Sequence, residues 1–363
     1  MRKVLLVCCD GFENGGIQAV IMNIVRGLHP NVDFDAIVFS EGNQFYSEEF
    51  QKYGVIHHFP SPWKGKRLVT NFDEFTRDIR YTAELRKFLK KNGPYDVIHC
   101  HNYFESAPFL KVAAEFNIPV RIAHSHNVAP PYKRKNLLYN LLERYHKKII
   151  KDNATHLLAC SKEAGRYLFD NAKTIVVHNA IDLDRFNPQR YKIKVKKMLF
   201  SHVGRYCDQK NQLFLLDVFK RIHDKYPESR LKLVGFGKLE RQVSEKIRLL
   251  ELDDCVEMLA SNSNIPEIFA ESEAMIFPST YEGLGISLIE AQAMGVKCYV
   301  SEAIQPEANL GLCKMIRLDA GSERWAELIC EDLVKSKHNK TYVDMSSYSL
   351  DKIIDEYRTI YSL

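Results

Sequence analysis

The chain has 363 residues, enough for two domains that each bury a core. Hydrophobic residues make up 45% and charged residues 27%, an ordinary globular composition, and no apolar run is long enough to span a bilayer. The net charge of +5 admits an acidic ligand, but no zinc finger, RNA-recognition signature or long basic arm points to nucleic acid.

Short apolar strands alternate with helical segments, the pattern of α/β layers with parallel sheets. The first apolar run, residues 3–10, is too short for a signal segment and ends in Asp10, so it reads as a buried strand. Further strands are expected at 34–40, 96–102, 120–127, 155–161 and 174–179, then at 198–204, 231–235, 256–260, 274–278 and 297–301. Residues 186–192 are polar and lack periodicity, as an inter-domain linker would. After them the chain restarts with a strand, a glycine turn and a helix. Two doubly wound domains in series are expected, with ligands at the carboxyl ends of their strands and a site in the cleft between them. The nine cysteines are scattered and form no C-x-x-C pair, which suits reduced thiols in the cytosol.

Gly15-Gly16 follows the first strand and opens a helix, so it either approaches a phosphate or makes a tight turn. It does not supply G-x-G-x-x-G. Two H-x-H pairs, His99/His101 and His124/His126, stand at strand ends, with each pair on one face of its strand. No cysteine or carboxylate stands at ligand spacing beside them. A catalytic or sugar-contacting histidine is therefore favoured over zinc, with a structural role open for each. Residues 133–151 carry seven Lys or Arg against Glu143, and Leu138, Leu141, Leu142, Tyr145 and Ile149 recur at helical spacing. With the basic loop around Trp63, this helix either rests on an anionic membrane or faces the core; both readings are open. Asp182-Leu183-Asp184 matches the metal-holding D-x-D pattern but reads as turn and capping residues.

In the second half, Gly204-Arg205 closes a strand and Lys210 precedes a helix. Two cations there would stabilise negative charge developing on a diphosphate, or else they are solvated loop residues. Gly235 and Gly237 form another turn, open to a ligand contact. Residues 279–295 are the most informative. Glu282 and Glu290 flank Gly283-Leu284-Gly285-Ile286 after an apolar strand. A strand, a glycine turn and a helix start leave amides free for phosphate. Carboxylates beside them would repel phosphate and so suit hydroxyls. Together these features describe a nucleotide sugar.

At this point the chain resembles the retaining glycosyltransferases of family 4, with the GT-B architecture. The resemblance rests on Gly15-Gly16, on Asp96 to His101, on Asn179-Ala180-Ile181-Asp182 with Phe186, on Gly204-Arg205 with Lys210-Asn211, on Val234 to Gly237, and on Glu282 to Glu290 with Gly295. The run from Arg121 to Asn127 is most similar to bacterial capsular and exopolysaccharide members. The resemblance implies that Arg205 and Lys210 hold the donor diphosphate, Glu290 binds ribose and Glu282 contacts the transferred sugar. It places the amides of Leu284, Gly285 and Ile286 on the distal phosphate or sugar. Gly15 and Gly16 would border phosphate and acceptor, and His126, with His124 as the alternative, would lie beside the reacting sugar. Asn179, Gly204, Gly235, Gly237, Gly283 and His101 complete the expected substrate contacts. Two departures, Val296-Lys297 where a proline is usual and the segment 301–307 in place of a glycine-rich turn, leave the donor sugar open.

The expected organisation is residues 1–187 on the acceptor side, 188–345 on the donor side, and a helix within 346–363 returning to the first domain. The expected activity is transfer of a sugar, with retention, from a nucleotide donor (a UDP-sugar by preference) to a hydroxyl of a glycan or lipid-linked glycan. No metal and no cofactor is expected, and the setting is cytoplasmic or on the inner membrane face. A nucleotide-sugar epimerase or hydrolase, and a non-catalytic nucleotide-sugar-binding protein, are the rival readings.

Overall fold

The computed structural model describes residues 1–8, 11–13, 15–39, 44–59, 71–128, 137–191, 195–335 and 341–363, and the side chains of 71–75 are outside this description. The chain divides into two compact units, Met1–Ala180 with Leu350–Leu363, and Ile181–Ser349. The segment 186–192, expected as a linker, thus falls inside the second unit as far as it is described. There Pro188–Arg190 forms a short 3-10 turn, with the Gln189 amide donating to Asn187 Oδ1 at 3.0 Å.

The first unit contains strands β1 (Arg2–Cys8), β2 (Val32–Val38), β3 (Gly54–His58), β4 (Val97–Cys100), β5 (Val120–Ser125), β6 (His156–Ala159) and β7 (Ile175–Val176). They form a parallel sheet in the order β3-β2-β1-β4-β5-β6-β7. The order reverses between β1 and β4, and ligands of such sheets bind at that reversal. Helices α1 (Gly16–Leu28), α2 (Ser47–Phe50), α3 (Asn71–Asn92), α4 (Ser106–Glu115), α5 (Leu137–Asn153) and α6 (Lys162–Phe169) fill the crossovers. Leu5, Val7, Ile98 and Ala123 of the central strands pack against Leu85, Phe109 and Leu110 of the helices. Each of these apart from Ala123 contributes about 1.5–3 kcal/mol by leaving water.

The second unit repeats the plan with β8 (Leu199–Val203), β9 (Arg230–Val234), β10 (Val256–Leu259), β11 (Ala274–Phe277), β12 (Lys297–Val300) and β13 (Cys313–Met315). Their order is β10-β9-β8-β11-β12-β13, again parallel. Helices α7 (Gln212–Lys225), α8 (Glu240–Leu249), α9 (Ile265–Glu271), α10 (Ile286–Ala293) and α11 (Gly321–Lys335) cover it. Here the order reverses between β8 and β11, which bring Gly204-Arg205 and the Glu282–Glu290 stretch to one end of the sheet.

The final helix, α12 (Leu350–Ile360), belongs to the first unit. It buries Ile353, Ile354, Tyr357 and Ile360. Ile354 Cδ1 lies 2.4 Å from where a β-carbon on Gly27 of α1 would sit, so α1 and α12 meet at a position that admits no side chain. All the expected strands form, most a little shorter than expected among the described residues. The strands β3 and β13 were not expected. Both are edge strands with half-exposed residues, so neither shows an apolar run.

Candidate functional site

In the second unit, β8 ends at Val203 and the chain turns through Gly204-Arg205 to Asn211 before α7. Gly235 and Gly237 let the end of β9 close on this turn. A β-carbon at Gly235 would lie 2.1 Å from the Gly204 carbonyl oxygen, and one at Gly237 (φ +150°) 2.5 Å from that of Tyr206. Arg205 is exposed. Lys210 packs over Gly204, 3.2 Å from its would-be β-carbon.

The loop after β11 is tied to this turn at several points. The Thr280 amide donates to the Gln209 carbonyl at 2.8 Å, Gln209 Nε2 to the Tyr281 carbonyl at 3.0 Å, and Asn211 Nδ2 to the Pro278 carbonyl at 3.1 Å. The central link is an ion pair. Lys210 Nζ donates to Glu282 Oε1 at 2.6 Å, with both side chains largely buried, and sits 4.6 Å from the centre of the Phe277 ring. Sequence reading gave these two residues separate ligands; the structure joins them. A buried pair of this kind holds both groups in place but is weak as a source of stability, because desolvation offsets its attraction.

Gly285 caps α10 in the left-handed region, φ +78°, where a side chain would be strained. Amides of the first helical turn have no acceptor within the helix; the Leu288 amide is the first to bond back, to the Gly285 carbonyl at 2.9 Å. Gly283, Leu284 and Ile286 stand with Gly285 at this helix start, which favours an anion. One turn further, Glu290 is half-buried, and its carboxyl is pushed up to about 7 by burial, against the pull of Arg185. Sequence reading missed Arg185; only its place just after the Asn179–Asp182 motif hinted at it. His202 and Gln212, also missed, form the floor. His202 Nδ1 meets the Ile276 carbonyl at 2.9 Å, Gln212 Nε2 meets the Arg205 carbonyl at 2.8 Å, and burial lowers His202 to about 4. The turn role read for Asp182 has its bond: Oδ1 accepts from the Arg185 amide at 2.9 Å. Asp184 pairs at the surface with Arg190.

In the first unit, Gly15 precedes α1 and Gly16 begins it; a β-carbon on Gly15 would meet Gln18 Oε1 at 2.4 Å. Asn179 is buried with Oδ1 unpaired. The two H-x-H pairs come together. Cys100 of β4 opposes Ala123 of β5, so the next step of the register brings His101 beside His124. His99, His101, His124 and His126 are all buried. Burial and mutual repulsion lower the first three, and burial alone lowers His126 to about 3, so all four are neutral at physiological pH. His99, His101 and His124 each offer one nitrogen within 4.8 Å of the others, a spacing that a metal ion could share.

The α5 segment divides the stripe of apolar residues expected along it. Its buried residues are Tyr139, His146 and Ile150. Of the stripe, Leu138, Leu141 and Tyr145 are 51–59% exposed, whereas Leu142 is half-buried and Ile149 packs against the core of the first unit, so only part of it faces outward. Residues 133–136 and Trp63 lie outside the described residues.

The family model for Glycosyltransferase Family 4 matches residues 14–185, and that for Glycosyl transferases group 1 matches residues 184–308. EpsF of Bacillus subtilis (strain 168), which carries the name of a glycosyltransferase, is 30% identical and covers 94% of this chain and 91% of its own. The chain belongs to the family 4 glycosyltransferases. The family 4 chain is also similar to CapH of Staphylococcus aureus, a capsular polysaccharide biosynthesis glycosyltransferase, at 22% identity over 96% of both chains. Its fold is that of Anabaena HepE, solved with UDP and glucose: TM-score 0.75, 16% identity, 100% of both chains covered. The architecture is GT-B, and the chain is a glycosyltransferase.

Proposed function

We propose that this glycosyltransferase moves a sugar from a UDP-sugar to a hydroxyl of a glycan or lipid-linked glycan, with retention and without a metal. The observation that carries this reading is the convergence of Arg205, Lys210, Glu282, Glu290 and the start of α10 at one end of the second sheet. Arg205 and Lys210 face the diphosphate with the α10 amides, Glu290 accepts from the ribose hydroxyls, and Glu282, held by Lys210, accepts from the sugar. The resemblance to HepE, solved with UDP, supports the choice of nucleotide. Gly204, Gly235, Gly237, Gly283, Leu284, Gly285 and Ile286 shape the donor site. Gly15, Gly16, His101, His124, Asn179 and His126 serve the reacting sugar and the acceptor.

The bond from the anomeric carbon to the phosphate oxygen breaks, and the acceptor oxygen bonds to that carbon on the same face. The acceptor's proton passes to the departing phosphate. The cations and amides stabilise the charge that forms on the diphosphate, the work a metal would otherwise do. The test is nucleotide release from a panel of UDP-, GDP- and ADP-sugars, with and without membrane extract, and NMR of the product's anomeric centre. Acceptor-dependent release from a UDP-sugar with a retained anomer is expected. Donor conversion without acceptor overturns transfer in favour of an epimerase or hydrolase.

The exposed part of the α5 stripe, flanked by Arg144 and Lys148, supports a further reading: this face rests on an anionic bilayer. Among the described residues no helix is long and apolar enough to cross a membrane. Cosedimentation with vesicles containing anionic lipid is expected for the native chain and reduced in Leu138→Glu/Leu141→Glu. Equal binding by both overturns this reading.

A further inference from the structure

The four neutral histidines form two hydrogen-bonded pairs. His99 Nε2 meets His124 Nδ1 at 3.2 Å, and His101 Nδ1 meets His126 Nε2 at 3.0 Å. Tyr361 at the end of α12 meets His99 Nδ1 at 2.8 Å. Within each pair the rings are nearly parallel, at 7° and 18°, with centroids 5.3 and 5.2 Å apart. The centroids lie well outside the paired nitrogens, so the nitrogens face each other in line. That is the geometry of an N–H···N bond rather than of two ligands angled toward one ion. Across the pairs the rings lie close but tilted by 33°, with centroids of His99 and His101, and of His124 and His126, 4.0 Å apart.

A neutral imidazole carries one proton, so the His101–His126 pair has two protons for four nitrogens. One proton lies in the shared bond. The other sits on His101 Nε2 or His126 Nδ1, and both atoms are buried without a partner. A buried N–H without an acceptor is the rarer and costlier arrangement, whereas a bare nitrogen is tolerated better. His101 is the more deeply buried of the two, 4% exposed against 8%. The lower-cost state leaves Nε2 of the more enclosed His101 bare and puts the unpaired N–H on His126, the less enclosed ring, where a ligand oxygen that reaches that ring can accept from it. His101 then donates through Nδ1 to His126 Nε2.

We propose that His101 is a positioning residue: its Nδ1–H bond locks His126 as the Nδ1–H tautomer, which donates to a hydroxyl of the reacting sugar. The donation to sugar rests on the role assigned to His126 above; the tautomer lock does not. His101 thereby moves from substrate contact to support, as outer hydrogen bonds commonly fix a functional imidazole.

The test is 15N NMR of histidine-labelled protein, with the His126 signal assigned by its loss in His126→Asn, alongside turnover. Wild type is expected to show protonated Nδ1 and bare Nε2 at His126. His101→Leu frees Nε2 and should give a tautomer mixture with turnover lowered about tenfold, the scale of one lost hydrogen bond. His101→Asn places an amide N–H close to where Nδ1–H stood and should restore both. A wild-type His126 protonated on Nε2, or a tautomer unmoved by His101→Leu, overturns the proposal. So does stoichiometric zinc in the isolated protein, because the nitrogens would then be ligands. A tautomer change with unchanged turnover upholds the lock and overturns the assignment of His126 to the sugar.

Discussion

The carboxyl of Glu290 supplies a quantitative test of the donor site. Burial holds it at about 7, so near neutral pH it is half protonated. If ribose hydroxyls donate to it, the bound state favours the carboxylate, and nucleotide affinity rises with pH. At pH 6 about one Glu290 in eleven is ionised, and at pH 8 about ten in eleven, so affinity should rise about tenfold, or about 1.4 kcal/mol. Linkage gives stability the opposite sign. The unfolded chain releases this proton near its ordinary value of 4.5 while the fold keeps it to about 7. Between those values the fold binds more protons, so the group's contribution to stability falls as pH rises, by about 3 kcal/mol at most. Glu290→Gln imitates the protonated acid at every pH. Titration calorimetry with a nucleoside diphosphate should therefore find wild type gaining up to about tenfold in affinity from pH 6 to pH 8, while the variant binds more weakly and gains nothing beyond the ionisation of the ligand's phosphate that both share. Parallel pH profiles for the two proteins would refute the assignment of ribose to Glu290.

Arg205→Ala should lower turnover about a hundred- to a thousandfold, the effect of losing one donor to developing charge, while the melting temperature stays unchanged because the side chain is exposed; near-native turnover in the folded variant sinks the diphosphate assignment. Lys210→Ala should behave differently, leaving Glu282 buried without its cation and costing about 3–5 kcal/mol in urea unfolding, whereas Lys210→Met with Glu282→Gln should cost clearly less. A single variant as stable as wild type would show that Glu282 is solvated after all. Turnover should survive excess EDTA, since the cations and helix amides already provide positive potential; complete loss, restored by magnesium or manganese, would overturn the metal-free reading.

Much of this was legible in the residues. Alternating apolar runs and glycine turns specify parallel strands locally, because a strand buried on both faces must be apolar and its turn must admit close backbone approach. The Gly204–Asn211 turn and the Glu282–Glu290 stretch were found the same way, since each is a continuous segment whose spacing is itself the signal. The edge strands β3 and β13 were not legible, because half-exposed residues carry no such pattern. Chain pattern also could not say which face of α5 is buried. Tyr139, His146 and Ile150 turn inward while Leu138 and Leu141 of the periodic stripe face out. Residues far apart in the chain meet only through sheet order. Lys210 finds Glu282 because β8 lies beside β11, and His101 finds His126 because β4 lies beside β5. The ionisation of Glu290 and of the histidines depends on how much protein surrounds them, and only the packed tertiary structure sets that. The sequence alone determined which chemical groups the site contains and roughly where each lies along its element. Their pairing and their protonation were decided by tertiary structure, because both depend on neighbours that chain distance does not encode.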